Sequence, residues 1–187
     1  MTYAYPDYLI EPAALAGQLG NNALKIFDAT VHLVPAEKGY RAESGRADYE
    51  TSHIPGAAFL DQMRDLSDTT TGLGFSLPDA AALQAGLRAA GINEGDRVVV
   101  YSSGHMMWAT RAWWLLHYAG LDNVAVLNGG LAAWTAAGLE TGAESASYPA
   151  GSVTVRLRKD RFVDQATVLG AIGAEGICTV NALAPDV

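Results

Sequence analysis

Residues 98–107, Val98-Val99-Val100-Tyr101-Ser102-Ser103-Gly104-His105-Met106-Met107, decide the fold of this chain. The apolar run at 98–101 lies between the polar segments 93–96 and 102–104, which predicts a short strand covered on both of its faces. An apolar helix through 109–118 follows after the turn. A strand, a loop and a helix in this order form the unit from which parallel sheets are built.

The same alternation recurs on both sides of this stretch. Buried strands are predicted at 24–29 and 124–127, and helices at 12–19, 79–90 and 131–137, with a loop from Thr30 and a helical turn at 48–52. The fold class is therefore α/β, an open parallel sheet with helices on both faces. Right-handed crossovers place the strand-to-helix loops at one sheet edge, where such proteins bind ligands.

The composition changes after Glu140. Residues 141–152 are rich in Gly, Ala, Ser and Glu and include Pro149, which predicts a linker after a first domain at 1–140. Residues 153–187 then show the segment 153–157, a basic stretch, a helix at 164–172 and a strand at 177–180. Because about 35 residues are too few to fold alone, we expect the incomplete start of a second, similar domain.

Charge and cysteine content exclude several classes of function. The net charge of -8 argues against binding to nucleic acid or to anionic membranes. The N-terminus shows neither a secretory signal nor a membrane span. The single cysteine, Cys178, cannot form an internal disulfide, and no metal-ligand spacing is present, so we expect a cytoplasmic protein without a metal.

Five segments, taken in order, resemble one known family. They are Asp28-Ala29-Thr30, Arg46-Ala47-Asp48-Tyr49 leading to His53-Ile54-Pro55-Gly56-Ala57, Asp68-Thr69-Thr70, Val98-Val99-Val100-Tyr101, and the stretch 126–134. Over about residues 8 to 140 the chain resembles the rhodanese family, specifically the first domain of tandem thiosulfate and 3-mercaptopyruvate sulfurtransferases. The resemblance implies a rhodanese-like fold and a tandem repeat.

The resemblance also implies where catalysis should occur. In an active rhodanese domain the residue after the apolar strand is a cysteine, whose thiolate takes sulfur from a small anionic donor, becomes a persulfide and passes the sulfur on. Here that position aligns with Ser102, in an active-site-like loop of Ser102, Ser103, Gly104 and His105. An oxygen cannot form a persulfide, so this chain is expected to be the inactive domain, with a second rhodanese domain as its partner and no cofactor.

Other residues are assigned more general roles. Met106, Met107, Trp108 and Arg111 are candidates for contact with the second domain, although a solvated helix position is equally open for Arg111. His53, Pro55 and Gly56 are expected to form a structural turn, and Cys178 to be a small buried thiol in its strand. His32 and His117 are isolated in the sequence.

Three alternatives stay open at this point. A free-standing pseudoenzyme could use the loop to bind an anion or a partner protein. A hydrolase could use Ser102 with His105 as its base, but no carboxylate is assignable as the third group. A phosphatase of a related fold would need a cysteine in the loop, and Ser102 stands in its place.

Overall fold

Five parallel strands form the central sheet of the first unit in this computed structural model, which describes residues 4–182. The strands lie in the order β1-β7-β6-β2-β5, and β3 and β4 form a separate antiparallel hairpin. The strands are β1 (Leu9–Ile10), β2 (Leu24–Asp28), β3 (Val31–Pro35), β4 (Tyr40–Ser44), β5 (Ala58–Phe59), β6 (Arg97–Tyr101) and β7 (Val124–Leu127). The helices are α1 (Pro12–Ala16), α2 (Arg46–Thr51), α3 (Ala80–Ala89), α4 (Met107–Tyr118), α5 (Gly130–Ala136) and α6 (Gln165–Ala171).

Side chains from alternate strand positions bury the two faces of the sheet separately. On one face, Val98 and Val100 of β6 pack with Leu83 of α3 and Leu115 of α4. On the other face, the core combines β6 with α1 and α5 and includes Val99, Tyr101, Leu15 and Trp134. This confirms the predicted α/β class, because a strand buried on both faces requires helices on each side.

The β3–β4 hairpin was not predicted. Its five cross-strand pairs run from Val31 opposite Ser44 to Pro35 opposite Tyr40. Most of its side chains are exposed or only half-buried, so no run of apolar residues marks it in the sequence. The loop expected from Thr30 onward is therefore a hairpin beside the sheet.

Residues 141–157 pack on the first unit, which extends to Leu157 rather than to 140. Gly142 exchanges both backbone hydrogen bonds with His53, and Val153 is buried. The Tyr148 hydroxyl accepts from the Ile26 amide at 3.0 Å and donates to the Gly56 carbonyl at 2.8 Å. Residues 141–152, whose composition predicted a linker, are therefore part of an extended segment, 141–157, that crosses the sheet.

The second unit begins at Arg158. Its described part holds a single 3₁₀ turn, Lys159–Arg161, and α6, whose first turn is capped by the Asp164 carboxylate on the Thr167 amide at 2.8 Å. The strand predicted at 177–180 is wrong, because these residues form no ladder, and Cys178 is exposed rather than buried. The cysteine lacks the neighbouring strands that would cover it.

None of the helices within residues 4–182 combines the length and the apolar character that crossing a bilayer requires.

Tyr148→Phe should lower the free energy of unfolding of the first unit by about 1 to 2 kcal/mol, because the Ile26 amide and the Gly56 carbonyl each lose a partner. Urea denaturation of the wild type and the variant measures this change. Tyr40→Phe is the matched control, since Tyr40 is exposed and should change stability little. Equal losses for the two variants would show that the Tyr148 hydroxyl does not fix the crossing segment.

Candidate active-site loop

The loop between β6 and α4 lies at the carboxyl edge of the sheet. The parallel register pairs Asp28 with Tyr101, so the chain leaves β2 beside the point where it leaves β6. On its other side the loop is closed by the turn before α5, where the Leu131 amide donates to the Ser102 carbonyl at 3.2 Å. A methyl group at Gly130 would overlap that carbonyl oxygen, which explains the glycine.

Thr30 connects β2 to the loop through its hydroxyl. The Thr30 Oγ1 donates to the Asp28 carboxylate and accepts from the Ser103 amide at 2.8 Å. Ser102 Oγ donates to Thr30 Oγ1 at 3.3 Å, and Ser103 Oγ lies 3.1 Å from it. One hydroxyl therefore holds both serines of the loop, a role that the sequence analysis did not assign.

The amides of the loop bind protein atoms. The Gly104 amide donates to Ser102 Oγ at 3.1 Å, and the Met107 amide donates to His105 Nδ1, also at 3.1 Å. With the Ser103 amide on Thr30, three of the donors that an anion would need already have acceptors. The loop has the form of an anion cradle but is filled from within the protein.

Ser102 and His105 are not brought together as a nucleophile and its base. The Ser102 side chain is 4% exposed and bonded to Thr30, while His105 Nδ1 is taken by the Met107 amide. The geometry therefore gives no support to the hydrolase hypothesis. Within residues 4–182, no group of three His, Cys, Asp or Glu side chains could hold a metal ion.

Asp28 and Tyr101 are ionisable groups buried beneath the loop. Burial raises the pKa of the Asp28 carboxyl above its ordinary value, although hydrogen bonds from Thr30 and Tyr101 oppose the shift. Burial and the nearby Asp28 carboxylate raise the pKa of the Tyr101 phenol, whose oxygen accepts from the Ile54 amide at 3.2 Å. The neutral forms are favoured at both groups because little water reaches them.

The apolar residues after the loop divide into two sets. Met106 and Met107 are 37% and 42% exposed at the start of α4 and are available for contact with another surface. Trp108 is only 4% exposed, and its ring lies 4.8 Å from that of Phe75. The Trp108 side chain therefore fills the interior of this unit, which leaves little of it for the predicted contact with a second domain.

Arg111 fastens the segment 62–75 to α4. Its guanidinium donates to Gln62 Oε1 at 3.2 Å, to the Leu66 carbonyl and Ser67 Oγ at 3.3 Å each, and to the Phe75 carbonyl at 3.0 Å. Burial lowers the pKa of Arg111 to about 10. The side chain is therefore used inside the unit, which leaves little of it for the predicted contact with a second domain.

His53 holds the turn before β5. Its ring nitrogens lie 2.6 Å from the Tyr49 carbonyl and 3.0 Å from the Glu144 carbonyl, and the side chain is buried. Gly56 adopts φ 78° in the same turn, next to Pro55. His53 thus joins α2 to the crossing segment 141–157 and touches no part of the loop.

His32 has a partner that the sequence analysis missed. His32 Nε2 lies 2.8 Å from Asp48 Oδ2, so its description as isolated is wrong, and His117 packs 4.3 Å from the Trp113 ring. His32 belongs to β3 and Asp48 to α2, 16 residues along the chain. Only the unpredicted hairpin brings them together, so no sequence signal could have shown the pair.

Comparison with known proteins now identifies the family of this scaffold. Residues 11–137 match the family model described as a rhodanese-like domain. The chain belongs to the rhodanese family. The five segments singled out in the sequence all lie within the matched residues, and the loop at 102–105 stands where the resemblance places the catalytic cysteine.

The relatives of this rhodanese chain are sulfurtransferases. A Pseudomonas aeruginosa protein named "Probable 3-mercaptopyruvate sulfurtransferase" is 38% identical over 182 residues, which are 94% of this chain and 61% of that protein. The Arabidopsis thaliana thiosulfate/3-mercaptopyruvate sulfurtransferase 2 is 36% identical over 126 residues, 67% of this chain and 35% of that protein. The chain therefore spans about three-fifths or less of the length of these relatives.

A solved structure matches the fold of this rhodanese chain. The 3-mercaptopyruvate sulfurtransferase SseA from Escherichia coli superposes with a TM-score of 0.78 at 29% sequence identity. The match covers 88% of this chain and 61% of that one. The parallel sheet with helices on both faces is the rhodanese fold.

Asp28→Asn should change how stability depends on pH. A carboxyl whose pKa is raised in the folded protein contributes stability below its ordinary value of about 4, and loses it as pH rises through the raised value. The unfolding free energy of Asp28→Asn relative to the wild type should therefore increase between about pH 4 and neutrality. Urea denaturation across this range measures the difference.

Asp68→Asn is a control variant whose stability should depend on pH in the opposite direction. Hydrogen bonds from Thr70 lower the pKa of the Asp68 carboxyl, so the stability that this group contributes is present above its ordinary value and lost as pH falls. The variant should lose stability relative to the wild type as pH rises. The same trend for both variants would contradict the assignment of Asp28.

Arg111→Lys should destabilise the first unit by about 1 to 3 kcal/mol and loosen the segment 62–75, because an ammonium cannot satisfy the same four acceptors. Urea denaturation and limited proteolysis within 62–75 report the two effects. Arg41→Lys is the control, since Arg41 pairs with Glu43 on an exposed surface. Unchanged proteolysis would rule out Arg111 as the anchor of the segment.

Proposed function

We propose that this chain is the non-catalytic N-terminal part of a tandem sulfurtransferase. The complete protein moves sulfane sulfur from thiosulfate or 3-mercaptopyruvate to cyanide or a thiol acceptor through a cysteine persulfide in a second rhodanese domain. The observation that carries the proposal is Ser102, an oxygen at the family's thiol position that is buried and bonded to Thr30.

The chemistry of the loop supports a silent first domain. A serine hydroxyl is a far weaker nucleophile than a thiolate near neutral pH, and its oxygen cannot carry a persulfide. The internal acceptors of the Ser103 and Gly104 amides also leave little to stabilise a negatively charged donor. The small anionic sulfur donor is therefore assigned to the second domain, and the thiol chemistry needs no metal or organic cofactor.

Features of the second unit favour the proposal that it is part of a larger second domain. Helix α6 is capped by Asp164, yet it has no buried residue in the described part of the chain. Its exposed apolar side chains include Val168, Leu169 and, just beyond the helix, Ile172. A capped helix with uncovered apolar residues needs further chain to pack against, and the greater length of the relatives is in accord with this.

The exposed methionines at the start of α4 give the first domain a contact surface. Met106 and Met107 follow directly after the active-site-like loop, and an unbranched thioether adapts well to another surface. We assign this surface to the second rhodanese domain, in a cytoplasmic protein. A free-standing pseudoenzyme that binds an anion is less well supported, because the Ser103, Gly104 and Met107 amides are already bonded within the protein.

A thiocyanate assay with thiosulfate and cyanide tests this assignment. Residues 1–187, with Cys178 intact or as Cys178→Ser, should form no thiocyanate above the blank, because Cys178 is an exposed thiol distant in sequence from the loop at 102–105. The two-domain protein should turn over. Activity of residues 1–187 that Cys178→Ser abolishes would make Cys178 the nucleophile, and an inactive two-domain protein would favour the pseudoenzyme.

A further inference from the structure

A cleft opens at the amino end of β2, the end of the strand opposite to Thr30. It has a volume of about 410 Å³ and lies wholly within the first unit, between the turn after α1, the turn before β5 and the crossing segment. β5 pairs only with Phe27 and Asp28, so it leaves the edge of β2 uncovered at residues 24–26. The volume of the cleft is typical of sites for small molecules.

Lys25 is the one charged residue among the described residues that line the cleft. It is only 9% exposed, although lysine is among the residues least often buried. Its Nζ donates to the Asn22 carbonyl at 3.1 Å and lies 4.5 Å from the centre of the Tyr148 ring. Neither of these partners carries a negative charge, so the contacts orient the ammonium without neutralising it.

No carboxylate of the described chain, residues 4–182, forms an ion pair with Lys25. Asp96, the residue before β6, accepts instead from the Asn93 amide at 2.8 Å and from Asn93 Nδ2 at 3.1 Å. A buried charge without a counter-charge is costly, and proteins normally pair such groups. The position of Lys25 on the wall of an open cleft therefore indicates a counter-charge that comes from a ligand.

The lining of the cleft indicates the chemistry of this ligand. One ammonium matches a single negative charge better than a phosphate dianion or a nucleic acid. The exposed Asn22 side chain makes no hydrogen bond within the described residues and offers a further donor beside the ammonium. Leu19, Pro55 and Pro149 supply apolar surface on the same cleft.

We infer that this cleft binds a small organic carboxylate. Its charged group accepts from the Lys25 ammonium in a charge-assisted hydrogen bond, and its apolar body packs on the leucine and proline side chains. The site consists only of residues of the first unit and is independent of the proposed sulfur transfer.

Benzoate is a suitable probe because it joins one carboxylate to a flat apolar body, and benzamide is its uncharged isostere. Each is titrated into the 1–187 chain while heteronuclear NMR follows the backbone amides. Benzoate should bind with a Kd of about 1 to 10 mM and shift the amides of Asn22, Lys25 and Gly56. Benzamide and inorganic phosphate should bind at least about tenfold more weakly. Equal binding of either one, or shifts confined to other residues, would contradict a carboxylate site in this cleft.

Lys25→Met removes the charge and keeps an unbranched apolar side chain. The variant should bind benzoate at least about tenfold more weakly than the wild type, because the counter-charge of the carboxylate is gone. Lys38→Met is the matched control, since Lys38 is exposed on the turn of the hairpin, and its Kd should change by less than about twofold. Unchanged binding by Lys25→Met would exclude Lys25 as the anion ligand.

Urea denaturation separates a ligand site from a structural contact. Without benzoate, Lys25→Met should be at least as stable as the wild type, because an unpaired buried charge has been removed. Benzoate at about ten times the wild-type Kd should lower the unfolding equilibrium constant of the wild type by about tenfold and that of the variant by about twofold or less. A variant clearly less stable than the wild type without benzoate would show that Asn22 and Tyr148 already satisfy the ammonium, and would overturn the assignment.

Discussion

The parallel pairing of β2 with β6 is the constraint on which the rest of the structure depends. It runs over five residue pairs, from Leu24 opposite Arg97 to Asp28 opposite Tyr101. A slip of one residue would turn the buried side chains of β2 to the opposite face of the sheet. Because the register is fixed, both strands end together, and Thr30 reaches the loop after β6.

The loop after β6 is filled by contacts of several residues rather than by Ser102 alone. Ser102 removes the thiol, and Thr30 binds the amide that follows it. Asp28, buried below, accepts from Thr30 and is held by the same β2–β6 register. The chain therefore has the rhodanese scaffold, and the Ser103 and Gly104 amides of its loop donate to groups of the protein itself.

The sheet and its main helices could be predicted from the sequence alone. Val98 to Tyr101 and Val124 to Leu127 are uninterrupted apolar runs between polar turns, which is typical of buried strands. The sequence was not sufficient for the β3–β4 hairpin, whose exposed side chains carry no apolar period. The alignment of Ser102 with the catalytic cysteine rested on the resemblance to the family and stays a prediction. The links made by Thr30, Arg111 and His32 join elements distant in sequence, and only the folded arrangement reveals them.

The crossing segment makes the folding unit longer than the unit of sequence similarity. The family match ends at residue 137, whereas the compact unit continues to Leu157. Residues beyond the family match therefore cover part of the core, including Phe27, whose ring lies 5.6 Å from that of Tyr148. A protein cut at the end of the family match would keep the helices on both faces of its sheet but would lose the cover that Tyr148 and Val153 provide.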